Sequence, residues 1–245
     1  MSPGVAFEFE GDLLEIVLCC PERRNALGDA EWSRLETAIR KAANSPKCEF
    51  VSIRAEGNFF CSGIDLALIK TAGQTAGGLV SLIERNGAIL SALEKLPQFV
   101  IVALNGPAVG IGVHLALCGD LILARRTVSF WMPEAKLGIP DVLHYQLIEQ
   151  SMGRSAAVSM MALGARISAE EATNSGLVGR CYDDEAALAS GVRDCLDRLR
   201  AVPKPVRLAM KRYMSAKGRS SDPQGQAEAI KFVLGSRNYT SSIRH

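Results

Sequence analysis

Apolar and polar positions near the start of the chain predict two strands followed by a helix. Residues 5–10 and 13–18 are alternating or apolar runs, and the Gly-Asp pair between them is a strong hairpin signal. Asp29 is the expected cap of a helix in which apolar residues recur at helical spacing until Pro46. These positions are Trp32, Leu35, Ile39 and Ala42. A strand at 50–54 completes a β-β-α-β order.

The same patterns continue over the rest of the chain. Strands at 100–104, 121–124 and 178–182 repeat the first order loosely, and a stripe of leucine and isoleucine predicts a helix that ends before Pro97. Ser168 and Glu171 have the spacing of a capping box at a helix start. The other predicted helices are 142–152, 154–163, 169–175, 185–199, 206–214 and 224–234.

A glycine-rich turn after the strand at 100–104 is the centre of the predicted site. Gly110 and Gly112 open a short helix that is apolar on every side except at His114, so this helix is expected to be buried all round. A turn of this kind leaves backbone N–H groups without intrahelical partners, which can stabilise an oxyanion. The sequence therefore predicts an anion-stabilising turn with one titratable ring in a dry segment beside it.

Glu134 is the candidate acid or base of this site. It follows Pro133 on a tight connection, with Trp131 and Met132 just before it. A carboxyl group among large apolar side chains is expected to have a raised pKa, which suits proton transfer near neutral pH.

Composition narrows the classes of function. The 245 residues favour one large domain, and 28 basic against 26 acidic residues give a net charge of +2 with no long run of one sign. This balance argues against nucleic-acid binding and against a polybasic membrane patch. Seven cysteines without metal-ligand spacing indicate reduced core residues and no metal site. No secretory leader and no apolar run of about 18 residues is found, so a cytoplasmic location is expected.

Thirteen positions in the centre of the chain resemble the signature of the crotonase superfamily, the enoyl-CoA hydratase/isomerase fold. They are Asn105, Gly106, Pro107, Ala108, Gly110, Gly112, Cys118, Asp120, Phe130, Pro133, Glu134, Leu137 and Gly138. The resemblance implies an α/β fold in which a spiral of β-β-α repeats (1–183) precedes a carboxy-terminal helical trimerisation region (184–245). It also implies a homotrimer or a hexamer, and an acyl-CoA thioester as substrate. Coenzyme A then enters as part of that substrate, with no other cofactor.

The resemblance also implies roles for individual residues. The backbone amides of Ile64 and Ile111 correspond to the two donors that hold the thioester oxygen in the superfamily. Arg24, in the segment 21–27, is the candidate for the phosphates of coenzyme A. The full set of implied substrate-binding residues is Arg24, Ala26, Ser62, Gly63 and Gly112.

His114 departs from the hydratase pattern, because hydratases carry a glutamate at this position and a second one at the position of Glu134. The chain is similar in this respect to isomerases that move an enoyl double bond and to some hydratase-lyases, which keep only the second glutamate and use it to move one proton between two carbons. The leading hypothesis makes Glu134 the general acid/base, with His114 orienting water or substrate or sharing the proton transfer. The alternative is a core histidine bonded to a backbone carbonyl.

Asp141 lies in a second departure, where residues 137–144 differ from the superfamily pattern Gly-x-x-Pro-Gly-x-Gly-Gly. Dienoyl-CoA isomerases and aryl-CoA dehalogenases place an aspartate here, which makes Asp141 a candidate second acid or nucleophile. Asp141 is equally a candidate cap for a helix that begins at Val142. Alternatives to hydratase/isomerase activity are dienoyl isomerase, thioester hydrolase, lyase or dehalogenase chemistry that uses Asp141 or His114, and acyl-CoA binding without catalysis.

Overall fold

The computed structural model describes residues 4–75 and 77–216. The predicted strands and helices within these residues occur in the predicted order, and three short strands at 108–109, 129–131 and 167–168 are additional. The strands are β1 (Val5–Glu10), β2 (Leu13–Leu18), β3 (Phe50–Ala55), β4 (Phe99–Leu104), β5 (Ala108–Val109), β6 (Leu121–Arg125), β7 (Ser129–Trp131), β8 (Ile167–Ser168) and β9 (Arg180–Tyr182). The helices are α1 (Asp29–Asn44), α2 (Leu66–Ala72), α3 (Gly78–Glu94), α4 (Ile111–Leu117), α5 (Tyr145–Met152), α6 (Arg154–Leu163), α7 (Ala169–Asn174), α8 (Glu185–Arg200) and α9 (Lys204–Ala216), and Pro21–Arg23 and Glu134–Leu137 are 3-10 turns.

A six-stranded sheet with the order β1-β2-β3-β4-β6-β9 forms the centre of the fold. The β1 and β2 strands are antiparallel and the other neighbours are parallel. Every residue of β4 is buried, as expected for a parallel strand covered on both faces. One face packs against α1 and α3, and α8 covers the other face through Leu188 and Leu196.

A small three-stranded sheet, with the order β5-β7-β8, brings the predicted site together. Parallel pairing of β5 with β7 sets Val109 beside Trp131, and the N–H of Gly110 donates to the carbonyl of Trp131 at 3.0 Å. The glycine turn before α4 and the segment that leads into Glu134 are therefore neighbours in space.

Local patterns located most elements correctly. The hairpin strands and α6 have the predicted bounds, the four apolar positions of α1 are buried, and Ser168 and Glu171 form the predicted capping box.

All seven cysteines lie within the described residues, and none forms a disulfide. The predicted helix 224–234 lies outside the described residues, as does the end of the predicted region 184–245. None of the described helices is both long and apolar enough to cross a bilayer.

Two predicted helix caps are wrong. Gly28 is the N-cap of α1, and Asp29 is its first helical residue. The helix predicted from Val142 begins three residues later at Tyr145, after His144 adopts a left-handed backbone with φ of 59°. Asp141 therefore caps no helix, and its carboxylate oxygens are used elsewhere in the fold.

Candidate active site

A large cavity of about 970 Å³ lies between α2, α3, the start of α4 and the segment from Pro133 to α5. Its walls are mainly apolar, with aliphatic side chains from both α2 and α3. Few polar side chains interrupt this surface, which is the usual form of a small-molecule site. Its lining includes Ser62, Gly63, Ile64, Asn86, Gly110, Ile111, Glu134, Asp141 and His144.

Glu134 lines this cavity at the first position of its 3-10 turn. Its Oε2 atom is buried and has no hydrogen-bond partner among the described residues. Burial raises the pKa of Glu134 to about 7, and the nearby negative charge of Asp141 contributes in the same direction. The raised pKa that the sequence predicts is thus confirmed, with loss of water as the main cause.

Gly110 allows the carboxyl group of Glu134 to approach the backbone closely. Its φ of 55° and ψ of −123° lie in a region that side-chain-bearing residues rarely adopt. A Cβ atom on Gly110 would overlap Oε1 of Glu134. The glycine is therefore required for two reasons, the backbone angle and the space that the carboxyl group occupies.

The amides of Ile64 and Ile111 come from two chain bends that are held side by side. The N–H of Val109 donates to the carbonyl of Cys61 at 2.9 Å, which fixes one segment against the other. Both isoleucines line the cavity, and neither amide N–H has an acceptor within residues 4–75 and 77–216. These are the properties expected of donors that are kept for a ligand.

His114 is fully buried and lies behind the cavity wall instead of facing the cavity. Its Nε2 lies 2.7 Å from Oδ2 of Asp141, and its Nδ1 lies 3.0 Å from Nδ1 of His144. Both ring nitrogens thus have side-chain partners, whereas the alternative in the sequence analysis was a backbone carbonyl. His144 continues the chain of contacts, because its Nε2 lies 2.6 Å from Oε1 of Glu94.

Asp141 joins this buried group to the cavity. Its Oδ1 accepts a hydrogen bond from the N–H of Leu143 at 3.0 Å, while Oδ2 faces His114. The side chain is 16% exposed and lines the same cavity as Glu134. The arrangement offers two carboxyl groups to one ligand.

Comparison with known proteins identifies the family. The family model described as "Enoyl-CoA hydratase/isomerase" matches residues 8–238. The chain belongs to this family. A 2,3-dehydroadipyl-CoA hydratase and two kinds of isomerase are among its similar relatives, so the chain is an enzyme of the hydratase/isomerase type.

Similar enoyl-CoA hydratase/isomerase relatives are about 30% identical to the chain over the aligned residues. It is 32% identical to the 1,2-epoxyphenylacetyl-CoA isomerase of Escherichia coli K12 over 188 residues, which cover 76% of the chain and 72% of that protein. It is 30% identical to the mitochondrial Delta(3,5)-Delta(2,4)-dienoyl-CoA isomerase of Mus musculus, over 72% of the chain and 57% of that protein.

Solved structures of the family share the fold. An enoyl-CoA hydratase from Polaromonas sp. JS666 is similar with a TM-score of 0.87 and 26% identity, covering 98% of the chain and 95% of that structure. The α/β architecture described above, with its mixed sheet and covering helices, is thus the crotonase fold that the motifs around Asn105 and Glu134 predict.

The substrate-binding residues implied by the enoyl-CoA hydratase/isomerase resemblance are not all found at the cavity. Ser62 and Gly63 line it, whereas Arg24 and Ala26 do not. Arg24 is exposed, with its guanidinium 5.2 Å from the ring centroid of Phe59. Gly112 is buried, and a Cβ atom there would meet the carbonyl of Cys61, so this glycine serves close packing of α4. The substrate roles of these five residues stay predictions.

Sequence reasoning missed Glu94, His144 and Asn86. His144 could have been noticed, because the chain contains only three histidines and this one stands where the family pattern has glycines. Glu94 and Asn86 carry no comparable local signal. Each is one of several polar residues in α3, and its surroundings become visible only when that helix is packed in the fold.

Asn86→Leu is expected to increase the free energy of unfolding by about 1–3 kcal/mol. The side chain is buried beside the cavity, and neither Oδ1 nor Nδ2 has a partner among the described residues, so a leucine of similar size removes an uncompensated polar group. Denaturant unfolding checks this result. Asn174→Leu, at an exposed position, is the control and should leave stability nearly unchanged. A loss of stability in Asn86→Leu would show that the amide has a partner in solution.

Proposed function

We propose that this protein isomerises an unsaturated acyl-CoA thioester, with Glu134 as the residue that removes the proton. The observation that carries this proposal is an asymmetry between the two acid positions of the family. Glu134 lines the cavity with a pKa near 7, whereas the other position is His114, which is buried behind the wall with both ring nitrogens paired. A hydratase of this family uses two glutamates in the cavity, and this chain has His114 in place of the first one.

The reaction uses the two unpaired amides and one carboxylate. The thioester oxygen accepts hydrogen bonds from the N–H groups of Ile64 and Ile111, which stabilise the enolate as charge develops. The Glu134 carboxylate removes a proton from the α carbon of a 3-enoyl thioester, the electrons spread over the enolate and the double bond, and the γ carbon is protonated. The product is the 2-enoyl thioester, and no atom is gained or lost.

Two sources are available for the proton that reaches the γ carbon. Glu134 returns the proton that it removed, or Asp141 supplies a second one. The second form is favoured by one observation, that the carboxyl groups of Glu134 and Asp141 line the same cavity. The dienoyl-CoA isomerase similarity is consistent with it.

Coenzyme A is part of the substrate in this proposal, and Arg24 is the proposed contact for its phosphates. The proposed assembly is a homotrimer, or a hexamer of two trimers, built by the helices after residue 184. The exposed side chains of Met210 and Met214 on α9 support a contact there, because large apolar groups on a surface often mark an interface.

Incubation with 3-enoyl-CoA, 3,5-dienoyl-CoA and crotonyl-CoA tests the function. We expect formation of 2-enoyl-CoA or 2,4-dienoyl-CoA. Hydration of crotonyl-CoA should be about a hundredfold slower than this isomerisation, because the first acid of the hydratases is absent. Absorbance at the conjugated thioester and mass spectrometry measure both reactions. Comparable hydration of crotonyl-CoA would make the protein a hydratase. Binding of all three thioesters without turnover or solvent hydrogen exchange would leave acyl-CoA binding as its function.

A further inference from the structure

Four titratable side chains form a continuous hydrogen-bonded chain from the outside of the protein to the cavity. It runs from Glu94 to His144, His114 and Asp141, with contacts of 2.6, 3.0 and 2.7 Å. The Glu94 side chain is 41% exposed, and the two imidazole rings stack with centroids 5.1 Å apart. Solvent thus reaches one end of the chain, and the ligand cavity reaches the other.

The geometry dictates how many protons this chain holds. Each of the three contacts joins two atoms that can both accept, so each contact needs one proton between them. If both imidazole rings were neutral and each donated its one proton to a carboxylate, the two Nδ1 atoms would face each other with no proton between them. Three protons on four groups give a net charge of −1, for example two carboxylates and one imidazolium.

We propose that the His114–His144 pair is a proton relay through which Asp141 exchanges protons with solvent at Glu94. Each of the three protons can lie on either side of its contact. A proton that enters at Glu94 therefore displaces one at each contact, and a different proton appears on Asp141. The inference rests on the proposed isomerase function and selects the form in which Asp141 protonates the substrate.

The proton balance of one turnover shows what the relay does. The Glu134 carboxylate takes a proton from the α carbon, and the Asp141 carboxylic acid gives its proton to the γ carbon. After product release, Glu134 loses its proton to water in the cavity. Asp141 regains one from solvent through His114, His144 and Glu94. One proton leaves and one enters, and the enzyme returns to its starting state.

The surroundings favour proton exchange over metal binding at this cluster. Glu94, Cys118 and His144 offer ligand atoms within 4.8 Å of one another. However, burial raises the pKa of the Cys118 thiol well above its usual range, and this thiol donates to the carbonyl of His114 at 3.2 Å. Both ring nitrogens of His144 also have hydrogen-bond partners already, Nδ1 with His114 and Nε2 with Glu94. The hydrogen bond from His144 is the main cause that lowers the pKa of Glu94, with Lys95 contributing.

Steady-state kinetics of the full-length protein with a 3-enoyl-CoA substrate test the relay. Glu94→Gln alters the relay only at its solvent-exposed end and keeps nearly the same side-chain shape. His144→Asn removes the ring and places at this position of positive φ a residue that tolerates it. Asp141 regains its proton in the free enzyme after product release, so the rate of this step limits kcat but does not enter kcat/KM. We expect kcat to fall about tenfold or more in both variants, with kcat/KM unchanged. Added imidazole buffer should restore kcat in Glu94→Gln by delivering protons directly. Glu84→Gln, an exposed glutamate on the same helix, is the matched control and should behave as wild type.

Several results would overturn the relay while leaving the isomerase function in place. One is a normal kcat in Glu94→Gln and His144→Asn. Another is an equal fall of kcat and kcat/KM without rescue by imidazole, which would indicate that the chain only positions Asp141. A third is complete transfer of the substrate's own proton to the γ carbon in D₂O, and a fourth is a stoichiometric metal that His144→Asn removes. Absence of isomerisation in the wild-type protein would instead contradict the proposed function itself.

Discussion

Glu134→Gln is expected to lower kcat by about 10²- to 10⁴-fold, because the amide cannot take a proton from the substrate. The fall should appear in the isomerisation rate of a 3-enoyl-CoA, measured at saturating substrate. Binding of the thioester should change little, since glutamine keeps the shape of the side chain at the cavity wall. A variant that retains wild-type kcat would remove Glu134 from the mechanism.

The same substitution is expected to stabilise the protein at alkaline pH. The pKa of Glu134 is about 7 in the fold and 4.5 as an unperturbed group, so folding favours the protonated form. Stability is therefore lost as pH rises from the lower pKa to the higher one, and ionisation of the buried carboxyl costs about 3 kcal/mol above that range. Denaturant unfolding at pH 5 and pH 8 should show a free-energy gap between variant and wild type that opens with pH. In Glu36→Gln, an exposed position on α1, no such gap should develop.

The pH dependence of wild-type kcat/KM provides an independent check of this role. Proton removal needs the carboxylate, so kcat/KM should have a rising limb whose midpoint lies near pH 7, the pKa of Glu134. A profile that falls through this range would mean that the protonated form of Glu134 is the active one, as in a residue that acts first as an acid.

Gly110→Ala is the second variant with a large expected effect. It places a side chain at φ of 55° and a Cβ atom where Oε1 of Glu134 lies, so the backbone or the carboxyl group must move. We expect a loss of about 1–3 kcal/mol in the free energy of unfolding. We also expect a fall in kcat of about a hundredfold, the size of effect that a displacement of about 1 Å at a catalytic group produces.

Gly176→Ala separates these two effects. Gly176 also has positive φ, at 82°, but a Cβ atom there meets nothing within 4 Å. It should cost stability and leave kcat unchanged. In the Glu134→Gln background, Gly110→Ala should lower kcat much less than it does alone, because the group that it displaces no longer takes part. Additive losses of kcat would contradict the proposed link between Gly110 and Glu134.

Strands and helices that depend only on neighbouring residues could be predicted well from the sequence. The hairpin of β1 and β2 follows from alternation on either side of a Gly-Asp turn, and α1 follows from apolar residues at helical spacing. The motif around Gly110 and Glu134 indicated the family and the position of the cavity acid. The start of α5 was misplaced, because Val142 continues the helical pattern in sequence while the carboxylate of Asp141 is held by His114, which is 27 positions earlier in the chain.

The sequence by itself determined the order of the longer strands and helices, the family, and the presence of one acid beside an apolar pocket. These depend on the period of apolar residues and on glycine and proline at turns, which act over a few neighbouring positions. Only the tertiary structure decided that His114 faces away from the cavity and that Glu94 and His144 join it to Asp141. Those contacts link residues 27 to 50 positions apart, and their hydrogen bonds depend on how α3, α4 and the loop before α5 pack together.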